Sequence, residues 1–189
     1  MTRLQNLILR CSKSPVAYIA AVLGFSLSFL VLFRIAEAFS TVTGGLQPFD
    51  MQNTLRVEDV SEQLARYTED SRRLYAWFAF VDYIFPLAGG FFAASSGAFL
   101  LRHGVPATYA WLESRRGLAI FFLPTLFDWL ENVADIAVIF PEPPPVPSLA
   151  TLLIVFKTLK LGSLFLSQGT LVLLALWLGV RKAVGLARS

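Results

Sequence analysis

Four stretches of the chain, residues 16–35, 74–101, 117–140 and 149–180, are each long and apolar enough to cross a bilayer. A helix needs about 20 such residues to span roughly 30 Å of hydrocarbon, and only a helix or a closed barrel satisfies its own backbone there. No barrel-type alternation competes, so the sequence predicts an all-α protein: a four-helix transmembrane bundle. The second and fourth stretches exceed the hydrocarbon thickness and must tilt, bend or project into the headgroups. Composition agrees: 56% of the 189 residues are hydrophobic and 15% charged, against about 25% charged in an ordinary soluble domain.

Lys and Arg placement sets the orientation. The N-terminal segment, the loop between the second and third stretches, and the C-terminal tail together hold nine basic residues and one acid, Glu113. Residues 34–73 and 141–148 hold five basic residues against eight acids. Both termini are therefore expected in the cytoplasm, as in a bacterial inner-membrane protein. The net charge of +3 is a topology signal, and no nucleic-acid partner is expected. The expected partners are the lipid bilayer and other integral membrane subunits.

Arg3 to Lys13, the first apolar run and Ala36-Glu37-Ala38 together imitate a secretory signal. The run is longer than a signal core of about 7 to 15 residues, so it reads as a retained anchor. Cys11 beside it reads as a small interfacial residue, with palmitoylation the alternative. One Cys and one His exclude a disulfide framework and Cys- or His-rich metal centres.

Residues 36–73 are predicted to form a small extracytoplasmic cap, irregular over Ser40 to Asn53. From Leu55, the spacing of Val57, Val60, Leu64 and Tyr67 among Glu58, Asp59, Glu62 and Arg66 predicts a short amphipathic helix. Pro141-Glu142-Pro143-Pro144-Pro145-Val146-Pro147 predicts an extended polyproline spacer. The chain thus reads as a single membrane domain, residues 1–189.

The candidate site lies inside the spans: Asp82 in the second, Asp128, Glu131, Asn132 and Asp135 in the third, and Lys157 and Lys160 in the fourth. Intramembrane ionisable groups cost about 2.5 to 3.5 kcal/mol each at a helix centre, so they turn inward and find partners. At 100° per residue the four polar positions of span three share about a 100° arc, and Lys157, Lys160, Leu164, Ser167 and Gln168 share a similar one. Depth counted from the outer ends predicts Lys157 against Asp135 or Glu131, and Lys160 against Glu131 or Asp128. Four acids then face two bases. The surplus requires protonated carboxyls, a reach inward by Arg34, Arg72 or Arg73, or a bound cation. Pro124 and Pro86 are expected to kink their spans beside this layer, opening a cavity outward beneath the cap.

Several roles fit: structural pairing, a binding pocket, or acid–base chemistry. The sequence favours an accessory or scaffold subunit of a membrane assembly, or a small ligand-binding bundle. The alternative is a membrane-embedded enzyme acting on a lipid or isoprenoid, with Asp128 and Glu131 as acid–base groups or metal ligands and Lys157 and Lys160 holding an anionic head. Cation or proton transport ranks lower, because no polar path continues to the cytoplasmic side. Asp128 to Asp135 resembles the Asp-rich motif of membrane prenyltransferases, which use two such motifs where this chain has one. Pro48-Phe49-Asp50, Tyr83-Ile84-Phe85-Pro86 and Phe127-Asp128-Trp129-Leu130-Glu131-Asn132 together resemble uncharacterised four-span bacterial integral membrane proteins. That resemblance covers residues 48 to about 175; it implies that cap and spans belong together and supplies no activity. No cofactor, catalytic residue or metal ligand set is assigned from the sequence.

Overall fold

The computed structural model describes residues 2–141 and 147–186. The polyproline spacer, over 142–146, lies outside the described residues. Among those residues the chain is all-helical: α1 (Thr2–Lys13), α2 (Pro15–Thr43), α3 (Val57–Leu64), α4 (Glu69–Gly104), α5 (Pro106–Ser114), α6 (Leu123–Ile139) and α7 (Pro147–Leu186). Two short 3₁₀ segments, Phe49–Met51 and Gly117–Phe122, join them. Four helical segments are long and apolar enough to cross a membrane: α2, α4, Gly117–Ile139 and α7. Their outward faces carry large bare apolar side chains such as Phe165, Leu166 and Leu173, an array that water does not tolerate as a continuous surface.

Local chemistry sets the helix ends. Ser14 accepts a hydrogen bond from the Ala17 amide and Pro15 opens the first turn of α2, both standard start signals. That helix stops at Gly44, whose φ of 68° lies in the left-handed region that glycine enters without a Cβ penalty. Ser40 to Thr43 are consequently helical, where the Gly- and Thr-rich composition predicts irregular chain. Thr68 and Ser71 cap each other's backbone at the start of α4. Pro124 departs from expectation. It stands at the start of α6, where its missing N–H costs nothing, and the third span begins with the 3₁₀ segment that precedes it.

Helix α4 is the hub, packing on α2, α6 and α7, and α6 packs along α7. Three apolar clusters form, a small one around Leu32, Ala36 and Phe78 and two larger ones at opposite ends. One joins α1, α4 and the Gly117–Phe122 segment around Ile8, Ala94, Ala98, Leu118 and Phe121. The other gathers Phe39, Phe49, Val60, Tyr75, Val138 and Leu153 beneath α3. Close approach at the first core needs small residues: a Cβ on Gly97 would stand 2.6 Å from the Phe121 ring. The buried charges lie between the two larger cores.

Candidate functional site

The seam between α4 and α6 is organised by Pro86. Proline has no N–H to donate, so the Asp82 carbonyl one turn earlier loses its helical partner. Asn132 on α6 supplies a replacement, its Nδ2 donating to Asp82 O at 3.3 Å. Trp129 Nε1 donates to Tyr83 O at 3.0 Å, and Thr125 Oγ1 to Pro86 O at 2.7 Å. Three side chains of one helix thus stitch the backbone of the other around its proline. Close to this seam, a Cβ on Gly90 would meet Thr125 Oγ1 at 2.4 Å.

The charges collect beside the seam. Glu131, fully buried, stands between both lysines: Lys157 Nζ lies 2.6 Å from Oε1 and Lys160 Nζ 2.6 Å from Oε2. Lys160 also faces Asp128 Oδ1 at 3.0 Å and donates to Asp50 Oδ1. Its three protons therefore have three carboxylate oxygens around them. Lys157 additionally donates to the Asp50 carbonyl at 3.1 Å. Asp135 stands apart from the lysines and accepts from the Tyr75 hydroxyl at 2.9 Å; that hydroxyl in turn accepts from the Phe49 amide at 3.1 Å.

Asp50 is the member that sequence reasoning placed elsewhere. It was counted with the acids of the outer segment, yet the Phe49–Met51 turn carries it down onto Lys160. Phe49 is fully buried against Tyr67 and Tyr75 and anchors the turn. The signal available was an apolar pair, Phe49 and Met51, flanking a lone acid within a polar stretch. Burial pushes the Asp50 carboxyl up, but the ammonium groups of Lys160 and Lys157 outweigh this and hold it below its ordinary value.

Asp82 is 1% exposed, and its Oδ2 is enclosed without a hydrogen-bond partner. Asp128 Oδ2 is likewise buried without a partner. Five carboxylates (Asp50, Asp82, Asp128, Glu131, Asp135) therefore surround two lysines, a formal excess of three negative charges. None of the arginines expected to reach inward relieves it. Arg34 pairs with Glu37 at 2.9 Å and Arg73 with Glu69 at 3.4 Å, both exposed. Arg72 donates to Ile139 O at the C-terminal end of α6, where a cation meets the negative end of the helix dipole.

A cavity of about 520 Å³ adjoins the layer, within the size range of small-molecule sites. Asp50, Asp128 and Lys160 line one end; Phe25, Phe85, Phe92, Phe121 and Leu164 form apolar walls, with Ser167 and Gln168 among them. Its direction differs from the expected one. The Phe39, Phe49 and Tyr75 core closes the layer on the α3 side, so the space extends along α4 toward Phe121. Helices α2 and α7, which share no extensive contact among the described residues, flank it.

The remaining chemistry-bearing residues lie at the other end of α4. His103 Nδ1 is 2.8 Å from Phe99 O, and Cys11, Lys13, Arg102 and His103 line a separate crevice of about 590 Å³. Compared with known protein families, curated proteins and solved structures, the chain matches none.

Proposed function

We propose that the chain is an integral membrane protein that binds an amphiphilic ligand, head against Asp50, Asp128 and Lys160 and chain along the apolar groove between α2 and α7. The observation that carries this reading is the union of opposites in one cavity of about 520 Å³. An unligated structural ion network gains nothing from an adjoining void, because a space without partner atoms forfeits dispersion contacts. Exposed Leu164 on the α7 flank supports entry from the lipid side. In this reading the four helices form one membrane domain of a bacterial inner membrane, both termini cytoplasmic, with residues 36–73 as the outer cap. The excess of Lys and Arg at the α1, α5 and C-terminal end supports that orientation.

A second reading, a membrane-embedded enzyme acting on a lipid or isoprenoid, is favoured by one feature: the partnerless Asp128 Oδ2 at the head of the cavity. A carboxyl so placed can move a proton to or from a substrate head. The accessory-subunit role is the outcome that remains when no ligand is held.

The test is extraction of bound lipid from protein purified in mild detergent, compared with Gly89→Trp, which fills the groove from α4. The wild type should retain one amphiphile by native mass spectrometry and the variant should lose it. Equal retention by both, or none by the wild type, overturns the binding reading. Reporter fusions at the C-terminus should be active only as cytoplasmic fusions; periplasmic activity would overturn the orientation.

A further inference from the structure

We infer that Asp50, Asp82 and Asp128 form a divalent-cation site at the head of the groove. Each offers one carboxylate oxygen, and these three atoms lie within 4.8 Å of one another. Ligand oxygens about a shared ion at 2.3 to 2.6 Å can be no more than about 5 Å apart, whereas Mg²⁺ at about 2.1 Å allows about 4.2 Å. The three oxygens therefore lie close enough together to share a Ca²⁺-sized ion, and the smaller Mn²⁺ or Mg²⁺ would draw them closer. An all-oxygen, all-carboxylate set selects hard cations of this kind over softer transition metals.

Crowded acids alone would not make a site, and the partners they lack are what point to a ligand. Asp82 is 1% exposed and its Oδ2 is enclosed without a partner, and Asp128 Oδ2 is also enclosed and bare. Lys160 engages Oδ1 of both Asp50 and Asp128, which leaves their second oxygens free for another positive partner. Charge argues the same way. A divalent ion reduces the formal excess of the layer from three negative charges to one, and the Tyr75 hydroxyl already supports Asp135. A buried, uncompensated anionic cluster is the arrangement that low-dielectric surroundings least allow.

The three ligands come from three separate elements: the Phe49–Met51 turn, α4 beside its proline bend, and α6. Binding would therefore lock the turn onto the bundle. A cation there also makes the groove head receptive to an anionic group, so a ligand with a phosphate or carboxylate head is the class to expect, a statement that rests on the amphiphile reading. The metal site itself does not.

The experiment uses full-length protein in detergent, stripped with EDTA and titrated with Mn²⁺ alone by electron paramagnetic resonance. One Mn²⁺ per chain should bind, displaced by Ca²⁺ and Mg²⁺, and Asp82→Asn should weaken it more than tenfold while eluting as a folded monodisperse species. Should that variant fail to fold, Asp50→Asn on the 3₁₀ turn carries the same expectation. Failure of the stripped wild type to bind Mn²⁺, or equal binding by the variants, overturns the site. Stoichiometric Mn²⁺ without any retained amphiphile would leave the site standing and remove the groove reading.

Discussion

Replacing Lys160 by Met removes the charge on which three carboxylates converge and keeps most of the side-chain volume. In the wild type Lys160 Nζ faces Asp50, Asp128 at 3.0 Å and Glu131 at 2.6 Å. Glu131 keeps Lys157 at 2.6 Å after the change, whereas Asp128 and the Asp50 carboxylate lose their cation. Breaking a buried pair from one side costs about 3 to 5 kcal/mol, because the surviving charge stays desolvated and uncompensated. With two carboxylates stranded, the expected loss for Lys160→Met lies at the upper end, about 5 kcal/mol. The assay is denaturation by SDS in mixed micelles with EDTA present, followed by tryptophan fluorescence. Lys182→Met on the exposed end of α7 serves as the control, expected within about 0.5 kcal/mol of wild type. Adding Asp128→Asn to Lys160→Met should restore part of the loss, a coupling of about 1 to 3 kcal/mol. A Lys160→Met protein within 1 kcal/mol of wild type, showing no coupling to position 128, would refute the view that the layer is an interlocked charge network.

Three further substitutions examine the surroundings of the layer. Gly90→Ala drives a Cβ to 2.4 Å from Thr125 Oγ1 and 2.8 Å from the Phe122 ring, an overpacking that should cost about 1 to 3 kcal/mol in the same assay. Gly162→Ala meets nothing within 4 Å and should be neutral or slightly stabilising, since alanine is the better helix former by up to about 1 kcal/mol. Tyr75→Phe withdraws the donor to Asp135 and the acceptor for the Phe49 amide. Leaving two buried groups unpaired should cost about 2 to 4 kcal/mol and should speed proteolysis or amide exchange across residues 46–52, where a purely local effect on α4 would leave that segment unchanged.

The apolar helices can be read from sequence because hydrocarbon length is a hard constraint that few residues satisfy by accident. The meeting of Glu131 with Lys157 and Lys160 is also legible: helical rise along α6 and α7, neighbours in sequence, puts them at matching depths. Asp50 was not legible. It lies 19 residues before the start of α4 and reaches the layer only because Phe49 docks on Tyr75, a tertiary contact that no periodicity reports. Pro124 misled for a related reason. A proline within an apolar run reads as a kink, but here Gly117–Phe122 adopts the tighter 3₁₀ form and hands the proline the first turn of a new helix. The cavity was expected on the wrong side of the charges, because sequence cannot weigh how completely Phe39, Phe49 and Tyr75 fill the space beneath α3.

The polar arc of α6 resolves into two functions once neighbouring helices are considered. Taking 100° per residue, Thr125, Trp129 and Asn132 point within about 60° of one another, and each donates to an α4 carbonyl around Pro86. Asp128, Glu131 and Asp135 occupy an adjoining sector of similar width, turned by about 90° on average. Glu131 and Asp128 in that sector meet the lysines of α7. The donors thus all go to backbone, while Asp128 and Glu131 face the lysines and Asp135 takes the Tyr75 hydroxyl. This division leaves the carboxylates of α6 without neutral donors from their own helix, since those are committed to the α4 backbone one sector away. Only the Asp82 carbonyl loses its helical partner to Pro86, and without Asn132 it would stand bare in apolar surroundings. The division of labour along α6 thus follows from where the backbone of α4 gives up one hydrogen bond.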